Sequence, residues 1–156
     1  MPASLSGDPA ILCYASHMSY EFIESNIEAC IKPDYTQLVI VAPIWQGKIL
    51  LIHRQSEPFK GMYSIPGGHK EDESYETAGR RELEEETGIM AEKLIPMTIF
   101  IDHTHKLECH GFKFESTDGS FSNPPGEEQA VLGWKALNQA LDLPLTPGLS
   151  EWLQKF

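Results

Sequence analysis

The chain has 156 residues, 41% of them hydrophobic, with 23 acidic against 12 basic side chains and a formal net charge of −11. That length suits one compact domain with its own core and is short for two. The acidic balance argues against a general nucleic-acid-binding or anionic-membrane surface, because both need a basic footprint; an anionic ligand would have to be held by metal and a few local cations.

Residues 1–16 carry mostly small and polar side chains and read as an irregular lead-in, with a single domain over 17–156. Residues 18–33 fit strand or helix equally. Leu38-Val39-Ile40-Val41-Ala42 and Lys48 to His53 are two apolar, β-rich runs joined by Gln46-Gly47, a hairpin signal. Pro43 suggests an edge or bulge near the end of the first run, since proline cannot donate to a ladder. A loop over Gln55 to Gly61 leads to Tyr63-Ser64-Ile65 and then to the turn Pro66-Gly67-Gly68. Beyond the acidic segment described below, Thr98 to Ile101 and Leu107 to Phe114 read as a strand pair and Ser116 to Gly126 as a polar loop. Ala130 to Trp134 is another strand candidate, and short helices are expected from Leu137 to Leu141 and from Leu149 to Phe156. Strands interleaved with few helices indicate a mixed sheet covered by helices.

Cys13, Cys30 and Cys109 are widely spaced, odd in number and lack a CxxC pair, which points to reduced thiols rather than disulfides or zinc ligands. No apolar run approaches the length of a membrane span, and the N-terminus lacks the basic start and long apolar core of a signal peptide, so a cytoplasmic protein is expected.

The stretch from 67 to 89, GGHKEDESYETAGRRELEEETGI, is the most informative. Ser74 is a good N-cap, Glu76 sits in the first turn where the helix dipole favours an anion, and Gly88 supplies a C-terminal stop. On the helix between them, at roughly 100° per residue, Glu82, Glu85 and Glu86 fall within an arc of about 100°, while Glu84 points to nearly the opposite side. Three carboxylates packed this closely repel one another unless a cation sits between them, and hard oxygen ligands of this kind suit Mg²⁺ or Mn²⁺. Ala78, Gly79 and Leu83 give the helix a close-packing side. The glycine turn ahead of it lets backbone approach a metal or phosphate with no Cβ in the way. Arg81, one helical turn before Glu85, is spaced to orient it, a structural ion pair being an equal alternative.

The spacing Gly67, five residues, Glu73, seven residues, then Arg81-Glu82-Leu83-x-Glu85-Glu86-x-Gly88-Ile89 resembles the box of the Nudix hydrolases at every specified position. One departure concerns the turn. Family members commonly place five residues between the second glycine of Pro-Gly-Gly and the first box glutamate, whereas only His69 to Asp72 lie between Gly68 and Glu73 here. The resemblance implies an α/β/α sandwich in which Glu82, Glu85 and Glu86, with a carbonyl of the glycine turn such as Gly67, hold Mg²⁺ or Mn²⁺. Water would then attack a phosphorus of a nucleoside diphosphate linked to another group. Glu73 would pair with Arg81 or reach metal through water. Glu127 or Glu128, where many members bring a loop carboxylate over the site, is the candidate general base. Arg54, at the end of the second hairpin strand, is a candidate phosphate contact, and Phe59 and Tyr63 are candidates for stacking on a base.

His103, His105 and His110 beside Asp102 do not have the spacing of a zinc set; a turn between strands, lining the substrate mouth, is expected there. The segment after the box lacks the proline and the tyrosine that mark ADP-ribose and dinucleoside polyphosphate hydrolysis in the family. A nucleoside triphosphate pyrophosphohydrolase is therefore the first expectation, and an ADP-ribose or nucleotide-sugar pyrophosphatase the second. A non-catalytic Nudix-fold nucleotide sensor is the alternative of another class, weakened by the complete set of box carboxylates. The expected partner is a small nucleotide rather than a stable nucleic-acid complex or a membrane, and either a monomer or a homodimer fits.

Overall fold

The computed structural model describes residues 20–24, 29–57, 59–124 and 129–155. The lead-in over 1–16 and the loop acids Glu127 and Glu128 lie outside the described residues. Strands β2 (Thr36–Trp45) and β3 (Lys48–Arg54) flank the expected turn, where Gln46 and Gly47 both take positive φ, 52° and 75°. That backbone twist matches the twist of the strands it joins. The ambiguous stretch resolves over β1 (Tyr20–Glu24) as a strand, antiparallel to β6 (Ile95–Asp102), with Phe22 stacked on Phe100.

The remaining strands are β4 (Tyr63–Ser64), β5 (Gly67–His69), β7 (Leu107–Glu115) and β8 (Gln129–Ala136). The sheet order is β1-β6-β7-β2-β3-β4, with β5 added to β2 and β8 to β3. β2 and β7 run parallel and the other pairs antiparallel, so the sheet is mixed.

Pro43 does not mark an edge. β2 pairs with β7 from Thr36 to Ile44. On its other flank the Val41 N–H donates to the Pro66 carbonyl at 2.8 Å, and two residues on the Pro43 nitrogen faces the same way. There β2 changes partner from β5, paired at Leu38 to Ile40, to β3, paired at Ile44 and Trp45. The missing donor falls in that gap, where no ladder bond is required of it.

Alternation along the strands feeds two cores. Val39, Val41 and Leu50 face α1 (Tyr75–Thr87), packing with Ala78, Leu83, Leu94 and Phe112. Ala42, Ile49, Leu51 and Ile65 face the opposite way, toward α2 (Leu137–Ala140) and α3 (Leu149–Leu153), with Trp152 in that core. The result is the expected α/β/α sandwich. Among the described residues no helix is long and apolar enough to cross a membrane.

Helix α1 starts and stops where its sequence says. The Ser74 side chain accepts from the Thr77 N–H at 3.1 Å, and Gly88 takes the left-handed conformation, φ 73°. Gly79 brings the helix close to the sheet: a Cβ there would stand 2.9 Å from Leu94 and 3.2 Å from Val41.

Candidate active site at the glycine turn and helix α1

Helix α1 presents Glu82, Glu85 and Glu86 to β5, the short strand formed by the glycine turn. The Gly67 N–H donates to Glu86 Oε1 at 3.0 Å, which fixes that buried carboxylate from the turn. The Glu82 carboxylate lies over Gly68, so close that a Cβ there would be 2.5 Å from its Oε2. Both glycines of the shortened turn therefore meet box carboxylates. Glu85 is the open member, its side chain 51% exposed.

Arg81 ties the group together. Its Nε donates to Glu73 Oε2 at 2.9 Å, Nη1 to Glu82 Oε2 at 2.9 Å and Nη2 to the His69 carbonyl at 3.1 Å, and Nη1 stands 3.6 Å from Glu85. The bond from Arg81, opposed by partial burial, holds the Glu73 carboxyl below the usual carboxylate range. In return, chiefly through Glu73, the guanidinium is held charged more firmly than an ordinary arginine.

The expectation of carboxylates converging on a cation takes a specific form. Among the described residues no three His, Cys, Asp or Glu side chains stand together as a closed metal cage. Arg81 neutralises Glu82 and Glu85 instead, and a backbone N–H holds Glu86. The donors are nevertheless hard oxygens on one helix face, beside glycines that leave room for them, and they fit a divalent cation of the Mg²⁺ type.

A cavity of about 840 Å³ opens beside this face. Of the residues singled out from sequence, Arg54, Phe59, Gly67, Arg81, Glu82, Glu85 and Glu86 line it. Glu73 lies behind, supporting Arg81. Tyr63 is not brought to the cavity: its ring lies 4.8 Å from that of His53 and packs into the core beneath α2 and α3, because its strand is held there by bonds with Pro144 and Thr146. Glu57, Glu71, Asp102 and His105 also line the cavity. The first two carried no signal beyond being acidic loop residues; the second two stood in a turn already suspected of lining the mouth. Cys109 reaches the cavity as well, but burial pushes its thiol up to about 12, so it is no nucleophile.

The family model of the NUDIX domain matches residues 35–156. The chain belongs to the Nudix family. A 45-residue stretch is 52% identical to an ADP-ribose pyrophosphatase of Methanocaldococcus jannaschii, covering 28% of this chain and 27% of that one. Over 129 residues the chain is 31% identical to a Mycobacterium tuberculosis protein whose name proposes 8-oxo-dGTP diphosphatase activity, covering 76% of this chain and 58% of that one. The chain thus spans less than two thirds of the length of either curated relative. A MutT NUDIX hydrolase from Burkholderia pseudomallei matches in structure with a TM-score of 0.67 at 29% identity, over 76% of this chain and 95% of that one. The Nudix box of this chain is accordingly the segment Gly67 to Ile89, its carboxylates carried by α1.

Proposed function

We propose that the chain is a divalent-metal-dependent pyrophosphohydrolase of nucleoside diphosphates linked to a further group, with nucleoside triphosphates as the first substrate class. The observation that carries this reading is the placement of Glu82, Glu85 and Glu86 on one face of α1, against a glycine turn, at a cavity with room for a nucleotide. Mg²⁺, or Mn²⁺ in its place, held by those three carboxylates and the Gly67 carbonyl, would neutralise phosphoanhydride charge and lower the pKa of a bound water.

The chain's own residues do the rest. Arg81 keeps Glu82 and Glu85 aligned while Glu73 anchors Arg81 from behind. Glu86 is held by the Gly67 N–H, so it meets its ligand without losing rotamer freedom at that moment. Arg54 takes a phosphate oxygen with its guanidinium fork and Phe59 stacks on the base. Glu127 or Glu128 receives the proton of the attacking water as its oxygen bonds to phosphorus and the bridging oxygen leaves with the departing phosphate.

The relative that matches 76% of the chain supports a triphosphate substrate. The archaeal relative supports ADP-ribose as a second reading, over a much shorter stretch. The test is product analysis on nucleoside triphosphates, ADP-ribose, nucleotide sugars and dinucleoside polyphosphates, with Mg²⁺ and with chelator. Monophosphate and pyrophosphate from a triphosphate, only with metal, are expected. Cleavage of ADP-ribose alone would move the second reading to first place, and a folded, metal-loaded protein that cleaves nothing would leave the nucleotide-sensor reading.

A further inference from the structure

The cavity contains a second polar group, on elements other than α1. Asp102 ends β6 and is 2% exposed, and His105 stands in the turn to β7; both line the cavity. Asp102 Oδ1 accepts from the backbone N–H groups of Thr104 at 2.9 Å and His105 at 3.0 Å, and Oδ2 lies 2.7 Å from His105 Nδ1. A carboxylate only accepts, so Nδ1 carries the proton shared with Asp102, and the neutral form of the ring then has its lone pair on Nε2. Among the described residues Nε2 has no hydrogen-bond partner, although the side chain is only half exposed.

The neighbouring histidines are spent on structure. His103 bonds Tyr35 through one ring nitrogen and Glu21 through the other. His110 is buried on Glu108 and stacks on Tyr75. Of these three histidines, His105 is the one that lines the cavity, and Leu38, Ile40, Phe100, Leu107 and Trp152 give that cavity an apolar wall. A phosphate, all acceptors, would meet another acceptor with a buried carboxylate behind it. A flat heteroaromatic ring with an N–H on its edge meets both halves of the surface.

We propose that this wall receives the nucleobase, that His105 Nε2 accepts from its exocyclic amino group, and that Asp102 is the positioning residue that sets the tautomer. The inference rests on the nucleotide reading of the same cavity and adds a bias: adenine over hypoxanthine, or cytosine over uracil.

The test is equilibrium binding, which needs no turnover. The α,β-methylene analogues of ATP, ITP, CTP and UTP, and inorganic triphosphate, are titrated with Mg²⁺ into the wild type, His105→Ala, His105→Gln and Asp102→Asn. One amino base should bind about tenfold more tightly than its keto counterpart, the size of one hydrogen bond. His105→Ala should erase that ratio without changing the affinity for inorganic triphosphate, and His105→Gln, with an amide oxygen, should restore part of it. In Asp102→Asn the two backbone N–H groups keep the remaining oxygen, so the amide N–H faces Nδ1, moves the ring proton to Nε2 and shifts preference to the keto base. Equal binding of amino and keto partners by the wild type, or a His105→Ala loss shared by inorganic triphosphate, overturns the inference. Hydrolysis without base discrimination counts against the inference alone; discrimination without hydrolysis counts against the proposed activity alone; no nucleotide binding overturns both.

Discussion

Arg81 touches Glu73, Glu82, Glu85 and the His69 carbonyl at once, and its charge offsets the mutual repulsion of the carboxylates it reaches. Glu73 holds the guanidinium at 2.9 Å on one side of the cluster, leaving it 3.6 Å from the half-exposed Glu85. Gly68 is the residue most sensitive to this arrangement. Gly68→Ala would drive a Cβ into the Glu82 carboxylate, the movable end of a flexible side chain. The expected result is a stability change under ~1 kcal/mol in urea unfolding and a fall in turnover on the order of 10²-fold, since misplacement by about an ångström is costly in rate and cheap in folding. A Gly68→Ala protein with unchanged turnover would remove the turn from the account.

Helix α1 combines local and remote determinants. Its ends were legible because Ser74 and Gly88 act locally, and its acidic face because helical periodicity needs only counting. Its depth against the sheet was not, since that depends on Gly79 meeting Leu94 and Val41 from remote parts of the chain. Gly79→Val should push α1 outward, cost about 1–3 kcal/mol by overpacking, and lower kcat at least tenfold while the box stays intact. Parallel loss of stability and rate is the signature; a destabilised variant with normal kcat would show that helix depth does not position the carboxylates. Pro43 is the matching case in a strand. Its sequence marked a missing donor, but which side of β2 changes partner is a property of the whole sheet.

At the scale of the molecule, a buried network connects the parts. Glu108, fully buried on β7, accepts from the Ile31 N–H at 2.9 Å and the Lys32 N–H at 2.5 Å and pairs with His110 at 2.6 Å. His110 stacks on Tyr75, the first residue of α1, and the Tyr75 hydroxyl donates to Gln37 on β2. Burial alone would raise the Glu108 carboxyl; the His110 bond and the two backbone donors outweigh it and hold the carboxyl below its usual range. A carboxyl lowered in the folded state contributes stability that is full above the ordinary value near ~4.3 and lost as pH falls through the lowered one. Glu108→Gln should therefore cost about 3 kcal/mol at pH 7, with the gap to wild type closing on acidification below about pH 4. A gap independent of pH would contradict a charged Glu108. No local pattern announced this network, because it joins residues brought together by strand pairing; the Asp102–His105 pair lies within one turn, and the sequence marked the turn but not the bond. The proposed activity requires the carboxylates of α1 to act with metal on a phosphoanhydride. The most direct test is kcat for Glu85→Gln beside wild type across a Mg²⁺ titration on the preferred nucleotide, with folding checked by circular dichroism. A folded variant slower by on the order of 10²–10⁴-fold, against a wild type active only with Mg²⁺, is the predicted result; comparable rates in the two proteins, or hydrolysis that persists in chelator, would contradict it.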